Sequence, residues 1–174
     1  MIGPLPLRQA PLSFATVLTA QNVVYDANLL LDDSAYFDWL TLCDSDFTYK
    51  ICAYSPEIRK MMAWLQHDKS GMLNLVELLP RHQSDRSRLT RHTSVYRIEL
   101  DEPSVPLDAG ADTVVRAISS VAVYRTTLDG GTTDLFAVGA YYDRIRVYDT
   151  VARFASRELR LETRQLGIGT HFPL

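Results

Sequence analysis

Between Leu12 and Leu31 apolar side chains return at helical spacing: Phe14, Val17, Leu18, Val24, Tyr25 and Leu31. The spacing predicts one long amphipathic helix over residues 12–31. Asp32, Asp33 and Ser34 stop that helix and offer side-chain oxygens to cap the next. "SAYFDWLTL" reads as a short second helix presenting Tyr36, Trp39, Leu40 and Cys43 to the interior. In "FTYKICAY" the period falls to two, with Phe47, Tyr49, Ile51 and Ala53 on one face of a strand. "SPEIRKMMAWLQ" predicts a further helix, with Ser55 at the N-cap, Pro56 at the first helical position and Glu57 after it. "HDKSG" breaks it, and "GMLNLVELL" supplies another helical turn or two closed by Pro80.

The second half of the chain alternates instead. Four strand-like runs follow one another: 90–100, 113–127, 132–149 and 152–163. The Pro-rich "DEPSVPLDAGA" separates the first two, and "LDGG" marks a hairpin turn between the next two. Helices first and meandering strands afterwards predict an α+β fold, with the N-terminal helices packed in a curved antiparallel sheet. The expected organisation is a single domain over 1–174: an N-terminal arm (1–12), a mainly helical part with one strand (12–80), the antiparallel sheet (90–163) and a C-terminal tail (164–174).

Composition narrows the classes of function. A chain of 174 residues with 47% hydrophobic and 22% charged residues is ordinary for a globular protein. No apolar run approaches the ~20 residues that span a bilayer. "MIGPLPLRQAPLSF" carries three prolines and no continuous apolar core of a signal peptide, so a cytoplasmic protein without membrane contact is expected. A net charge of -3 argues against nucleic acid as partner. Cys43 and Cys52 lie nine apart without a CxxC partner and read as buried free thiols. The 15 Arg against 3 Lys fit a chain with extensive protein contacts and fit a bias in genomic base composition equally well.

Catalytic motifs are sparse. His67, His82, His92 and His171 make no paired Cys/His spacing, as an iron–sulfur Rieske site requires, and no close two-histidine, one-carboxylate set. No GxSxG, GxGxxG or phosphate loop occurs, and "GIGTHF" precedes no helix-length pattern. In "ANLLLDDSAYFDWLTLCDSDFTYKI" the acids Asp32, Asp33, Asp38 and Asp44 stand among Tyr36, Phe37, Trp39 and Phe47. One reading is a buried acid with a raised pKa. The other is a helix cap at Asp33 and Ser34, Asp38 on the wet face, and an aromatic core. The stretch 81–92, "RHQSDRSRLTRH", admits a solvated linker, an interface patch or an anion site.

Four segments in register carry a resemblance. "LLLDDSAYFDWLTLCDSDFTYKI" resembles the opening of the small (beta) subunits of Rieske non-heme iron ring-hydroxylating oxygenases. "SDRSRLTRHTSVYRI" (84–98) is similar to their central segment entering a strand. "DLFAVGAYYDRIR" (134–146) and "ARFASRELRLE" (152–162) are similar to their paired closing strands. Residues 55–82 are longer than in dioxygenase members and resemble monooxygenase branches, including the methanesulfonate type; "RQLGIGTHFPL" departs from the family's tail.

The resemblance implies the cone-shaped α+β fold shared by ketosteroid isomerase, scytalone dehydratase and nuclear transport factor. It implies a small subunit with no cofactor of its own and no catalytic or metal residues. Its partners would be a large alpha subunit, carrying the [2Fe-2S] Rieske cluster and a mononuclear iron, and other beta subunits, commonly as α3β3. Arg86, Arg88, Arg91 and His92 are then expected at or near a subunit contact. The contrasting expectation is a stand-alone isomerase or dehydratase of the same fold, using Asp38 with His67 or His92 as general acid and base, or else a small-ligand binder.

Overall fold

The computed structural model describes residues 12–82, 85, 87–101, 113–163 and 173–174. Nine elements follow in the order α1 (Phe14–Asp32), α2 (Tyr36–Thr41), β1 (Cys43–Ser55), β2 (Lys60–Asp68), α3 (Lys69–His82), β3 (Arg88–Leu100), β4 (Thr113–Thr126), β5 (Thr133–Tyr148) and β6 (Val151–Leu161). The strands form one six-stranded sheet in the order β2-β1-β6-β5-β4-β3. The antiparallel sheet expected over 90–163 is present as β3 to β6, and β1 joins it through one parallel seam with β6 while pairing antiparallel with β2. The expected Pro-rich loop (101–111) beyond Asp101 and most of the tail lie outside the described residues, as does Arg86.

Helix α1 forms where its periodicity places it, but of the expected stripe only Val24 and Leu31 are buried. Ser13 caps its start by accepting the Thr16 N–H at 3.0 Å. Ala20, Val23, Val24, Ala27 and Leu31 face the sheet, whereas Phe14 is 82% exposed. Ala20 and Ala27 on that face let helix and sheet approach closely.

The helix ends through its own backbone rather than through acids. Ala35 N–H donates to the Leu30 carbonyl at 2.8 Å, Ser34 N–H donates to the Leu31 carbonyl at 3.1 Å, and Ser34 takes φ 58°. That is a Schellman stop with Ser34 in the left-handed position. The expected Asp33/Ser34 cap of α2 is therefore corrected: the N-cap is Ala35, with no side-chain bond.

The expected helix over 55–66 is a second correction. Residues 56–59 turn, with Arg59 at φ 53°, and the chain returns as β2 against β1. β2 is the sheet's edge, none of its nine residues is buried, and Trp64 is the extra residue of a bulge opposite Ile51 and Cys52. With neither face buried, the strand leaves no two-residue alternation to read. Asp68 then caps α3, accepting from Gly71 N–H at 2.8 Å and Ser70 Oγ at 2.9 Å. Pro80 lies inside α3, which continues to His82.

Candidate functional site

Side chains facing the helices alternate strictly along the later strands: Val115, Ala117, Ser119, Val121 and Val123 on β4, and Ala137 through Val147 at odd numbers on β5. The same alternation carries Asp143 inward, directly opposite Arg157 in the β5–β6 register. Arg157 Nε donates to Asp143 Oδ1 at 2.9 Å and Nη2 to Oδ2 at 2.8 Å, with both side chains fully buried. The guanidinium stands 4.2 Å from the centroid of Tyr141 and 4.3 Å from that of Phe154. Burial pushes the Asp143 carboxyl upward against the pull of Arg157, while Asp143 more than offsets the burial cost on the guanidinium and keeps it protonated.

The rest of this interior is filled by the protein itself. Trp39 meets Phe47 and Tyr49 edge-on, with centroids 5.9 and 5.8 Å apart. Tyr49 Oη donates to the Leu174 carbonyl and accepts the Leu174 N–H, each at 2.9 Å, and Leu174 is fully buried. Arg91 Nη2 donates to the Pro173 carbonyl at 3.0 Å. Burial raises both Tyr49 and Tyr141, so both phenols stay protonated.

The acid-rich opening stretch resolves into two structural ion pairs. Asp32 accepts Arg91 Nη1 at 2.7 Å and the Arg91 backbone N–H, pinning the end of α1 to β3. Arg146 Nη1 donates to Asp44 at 2.9 Å and to Asp46, whose carboxyl the Arg146 hydrogen bonds hold below its ordinary range. Asp33 is exposed, 3.8 Å from Arg88. Replacing Asp32 by Ala strands a buried guanidinium and is expected to cost ~3 kcal/mol in urea unfolding. Asp33→Ala is expected to change stability by less than ~0.5 kcal/mol. Equal losses for the two would defeat this assignment.

The residues expected at a subunit contact separate. Arg88 and His92 are exposed, with the His92 ring edge-on to Tyr124 at 5.3 Å, whereas Arg91 is turned inward. The acid/base constellation does not assemble: Asp38 and His92 are exposed on separate elements, and His67 packs at the first turn of α3 beside Gly71. Among the described residues no group of three His, Cys, Asp or Glu gathers to hold a metal ion, and no helix is long and apolar enough to cross a membrane. A groove of about 720 Å³, lined by Ala53, Met62, Trp64 and Glu162 among others, lies between the β1–β2 hairpin and the end of β6.

Cys43 and Cys52 are free and buried. Burial pushes the Cys43 thiol up to about 12 and raises Cys52 as well. Iodoacetamide at pH 8 is expected to spare both in the native protein and to label both in urea, as read by mass spectrometry. Labelling of the native protein would contradict the packing described.

No protein-family model matches the chain. The methanesulfonate monooxygenase hydroxylase subunit beta of Methylosulfonomonas methylovora is 39% identical over 161 residues, covering 88% of this chain and 84% of that protein. The 2-aminobenzenesulfonate 2,3-dioxygenase subunit beta of Alcaligenes sp is 30% identical over 159 residues, covering 91% of this chain and 99% of that protein. Among solved structures, a beta subunit assigned to the aromatic-ring-hydroxylating dioxygenases from Novosphingobium aromaticivorans DSM 12444 superposes with a TM-score of 0.69 at 22% identity, covering 89% of this chain and 95% of that one. An NTF2-like protein with a cystatin-like fold from the same species matches at a TM-score of 0.57 and 12% identity, covering 86% and 83%. The structural matches bear out the cone-shaped α+β fold.

Proposed function

Because the chain belongs to the family of small (beta) subunits of Rieske-type ring-hydroxylating oxygenases, we propose that it is the assembly-holding, non-catalytic subunit of a cytoplasmic hydroxylase component. Its partner is a large subunit that carries the Rieske cluster and the mononuclear iron and inserts oxygen into the substrate. Other copies of the small subunit join the same complex, as α3β3. The name of each curated relative carries a sulfonate, which supports an organic sulfonate as the substrate of the complex.

The observation that carries this reading is the filled interior. The space enclosed by the sheet is taken by Tyr49, Tyr141, Arg157 and Leu174, with Tyr49 bonded to Leu174 and Arg157 to Asp143. A cone-fold enzyme instead needs an open pocket there, with a few convergent polar groups free to meet a substrate. We assign Arg86, Arg88 and His92 to a subunit contact or its surroundings, whereas Arg91 is turned inward and fixes β3 to α1.

Co-expression with a large subunit of this family tests the proposal. The complex is expected to consume oxygen and reduced nicotinamide with methanesulfonate or 2-aminobenzenesulfonate, and the isolated chain to turn over neither. Turnover by the chain alone, or failure to capture any large subunit, would sink it.

A further inference from the structure

Helix α1 carries an apolar stripe on the side turned away from the sheet. Phe14, Leu18, Tyr25 and Leu29 follow one another at steps of four, seven and four residues. At ~3.6 residues per turn the four fall within about 60° of arc, along roughly 22 Å of the helix. They are 82%, 43%, 36% and 64% exposed. Ala20, Val23, Val24, Ala27 and Leu31 are buried against the sheet, so the helix is apolar on two opposite faces. A surface helix ordinarily turns charged and polar residues to solvent. Helix α3 does so, setting Asn74, Glu77 and Arg81 beside its exposed Leu73 and Leu78.

We propose that this stripe seats a helix of the large subunit, apolar along one side and flanked by Lys or Arg. The inference rests on the small-subunit reading and assigns the surface by which the chain holds its iron-bearing partner. Four large side chains in one row are anchors that a facing helix takes up between its own. One stripe per chain takes one large subunit, which agrees with equal numbers of the two in α3β3. Arg88 lies 3.8 Å from Asp33 just past the end of α1, so the stripe continues the contact assigned to Arg86, Arg88 and His92.

Charge selects such a helix over a second copy of the chain. From Ser13 to Tyr49 the sequence has six aspartates and no Lys, Arg, His or Glu. Asp32 is spent on Arg91, and Asp44 and Asp46 on Arg146. Asp26, Asp33 and Asp38 stay exposed, and of the three only Asp33 forms an ion pair among the described residues. Two copies would set two acidic, cation-free helices against one another, whereas Lys or Arg on a different partner neutralises them. The α1 dipole, negative at its C-terminal end beside Asp33, adds to that preference.

Capture of the chain by an affinity-tagged, co-expressed large subunit of this family tests the assignment. Leu18→Glu and Leu29→Glu are each expected to lower capture by roughly ten-fold or more, with unchanged circular dichroism. Leu128→Glu, in the exposed turn between β4 and β5, is expected to be captured like wild type. Wild-type capture is expected to weaken as salt rises, and the double variant Asp26→Lys with Asp38→Lys to be captured less well at low salt. Leu29 is the more exposed leucine, so its variant decides the matter if Leu18→Glu does not fold. Folded stripe variants captured like wild type overturn the assignment. If those variants instead lower the copy number of the chain alone in native mass spectrometry, the stripe belongs to a second copy. Failure to capture the wild-type chain removes the small-subunit reading and this surface with it, whereas wild-type capture with unaffected stripe variants removes the surface alone.

Discussion

Arg157→Ala is expected to lower stability by ~3–5 kcal/mol, because it leaves the Asp143 carboxylate buried and unpaired between β5 and β6. For a chain of this length each kcal/mol moves the melting temperature by roughly 2–4 °C, so a fall of about 6–20 °C is expected by calorimetry. Asp143→Asn, which keeps the shape and removes the charge, should fall in the same range. The double variant Asp143→Leu with Arg157→Met should recover most of the loss, since well-packed apolar replacements of buried ion pairs are often neutral. Melting of Arg157→Ala within two or so degrees of wild type would show that the pair is not enclosed as described.

Gly139→Ala is expected to be the second severe change, at about 2–4 kcal/mol. Gly139 lies mid-sheet between Val121 and Leu161, and a Cβ there would collide with the backbone carbonyl of Arg160 on β6. No rotamer change relieves a clash with backbone, so β5 and β6 must separate locally and lose ladder hydrogen bonds. Gly130 and Gly131 offer the contrast. Their φ values are +83° and +65° with open space around them, so alanine there meets backbone strain alone, ~1 kcal/mol. Urea unfolding of the three variants should rank Gly139 as the costliest; a mild Gly139→Ala would mean that the two strands are farther apart than described.

The sequence was legible wherever one face of an element is buried. β4 and β5 follow their alternation, β1, β3 and β6 form where the strand-like runs lie, and the "LDGG" turn carries two left-handed glycines as its residues suggest. The reading failed at β2, where Ser55, Pro56 and Glu57 imitate a helix start and an edge strand bare on both faces offers no period to correct it. It failed at Asp33 because a backbone stop at Ser34 needs no carboxylate. The family was visible in four dispersed segments. The buried pair was not, although the alternation of Tyr141, Asp143 and Ile145 places the acid on the inner face. Charged residues are ordinarily assigned to solvent, and only the opposite strand's Arg157 reverses that assignment.

The parallel seam between β1 and β6 bears on biosynthesis. Cys52 sits beside Arg160, so the first strand to leave the ribosome cannot complete its inner neighbour until nearly the whole polypeptide has emerged. Until then the edge of β1 that β6 will cover stays unpaired. Such late closure of distant segments slows acquisition of the native state and leaves time for misassociation. Nascent chains stalled before residue 151 should therefore be insoluble clients of chaperones, and recovery of this protein should depend on folding assistance during translation more than on the stability of the finished molecule.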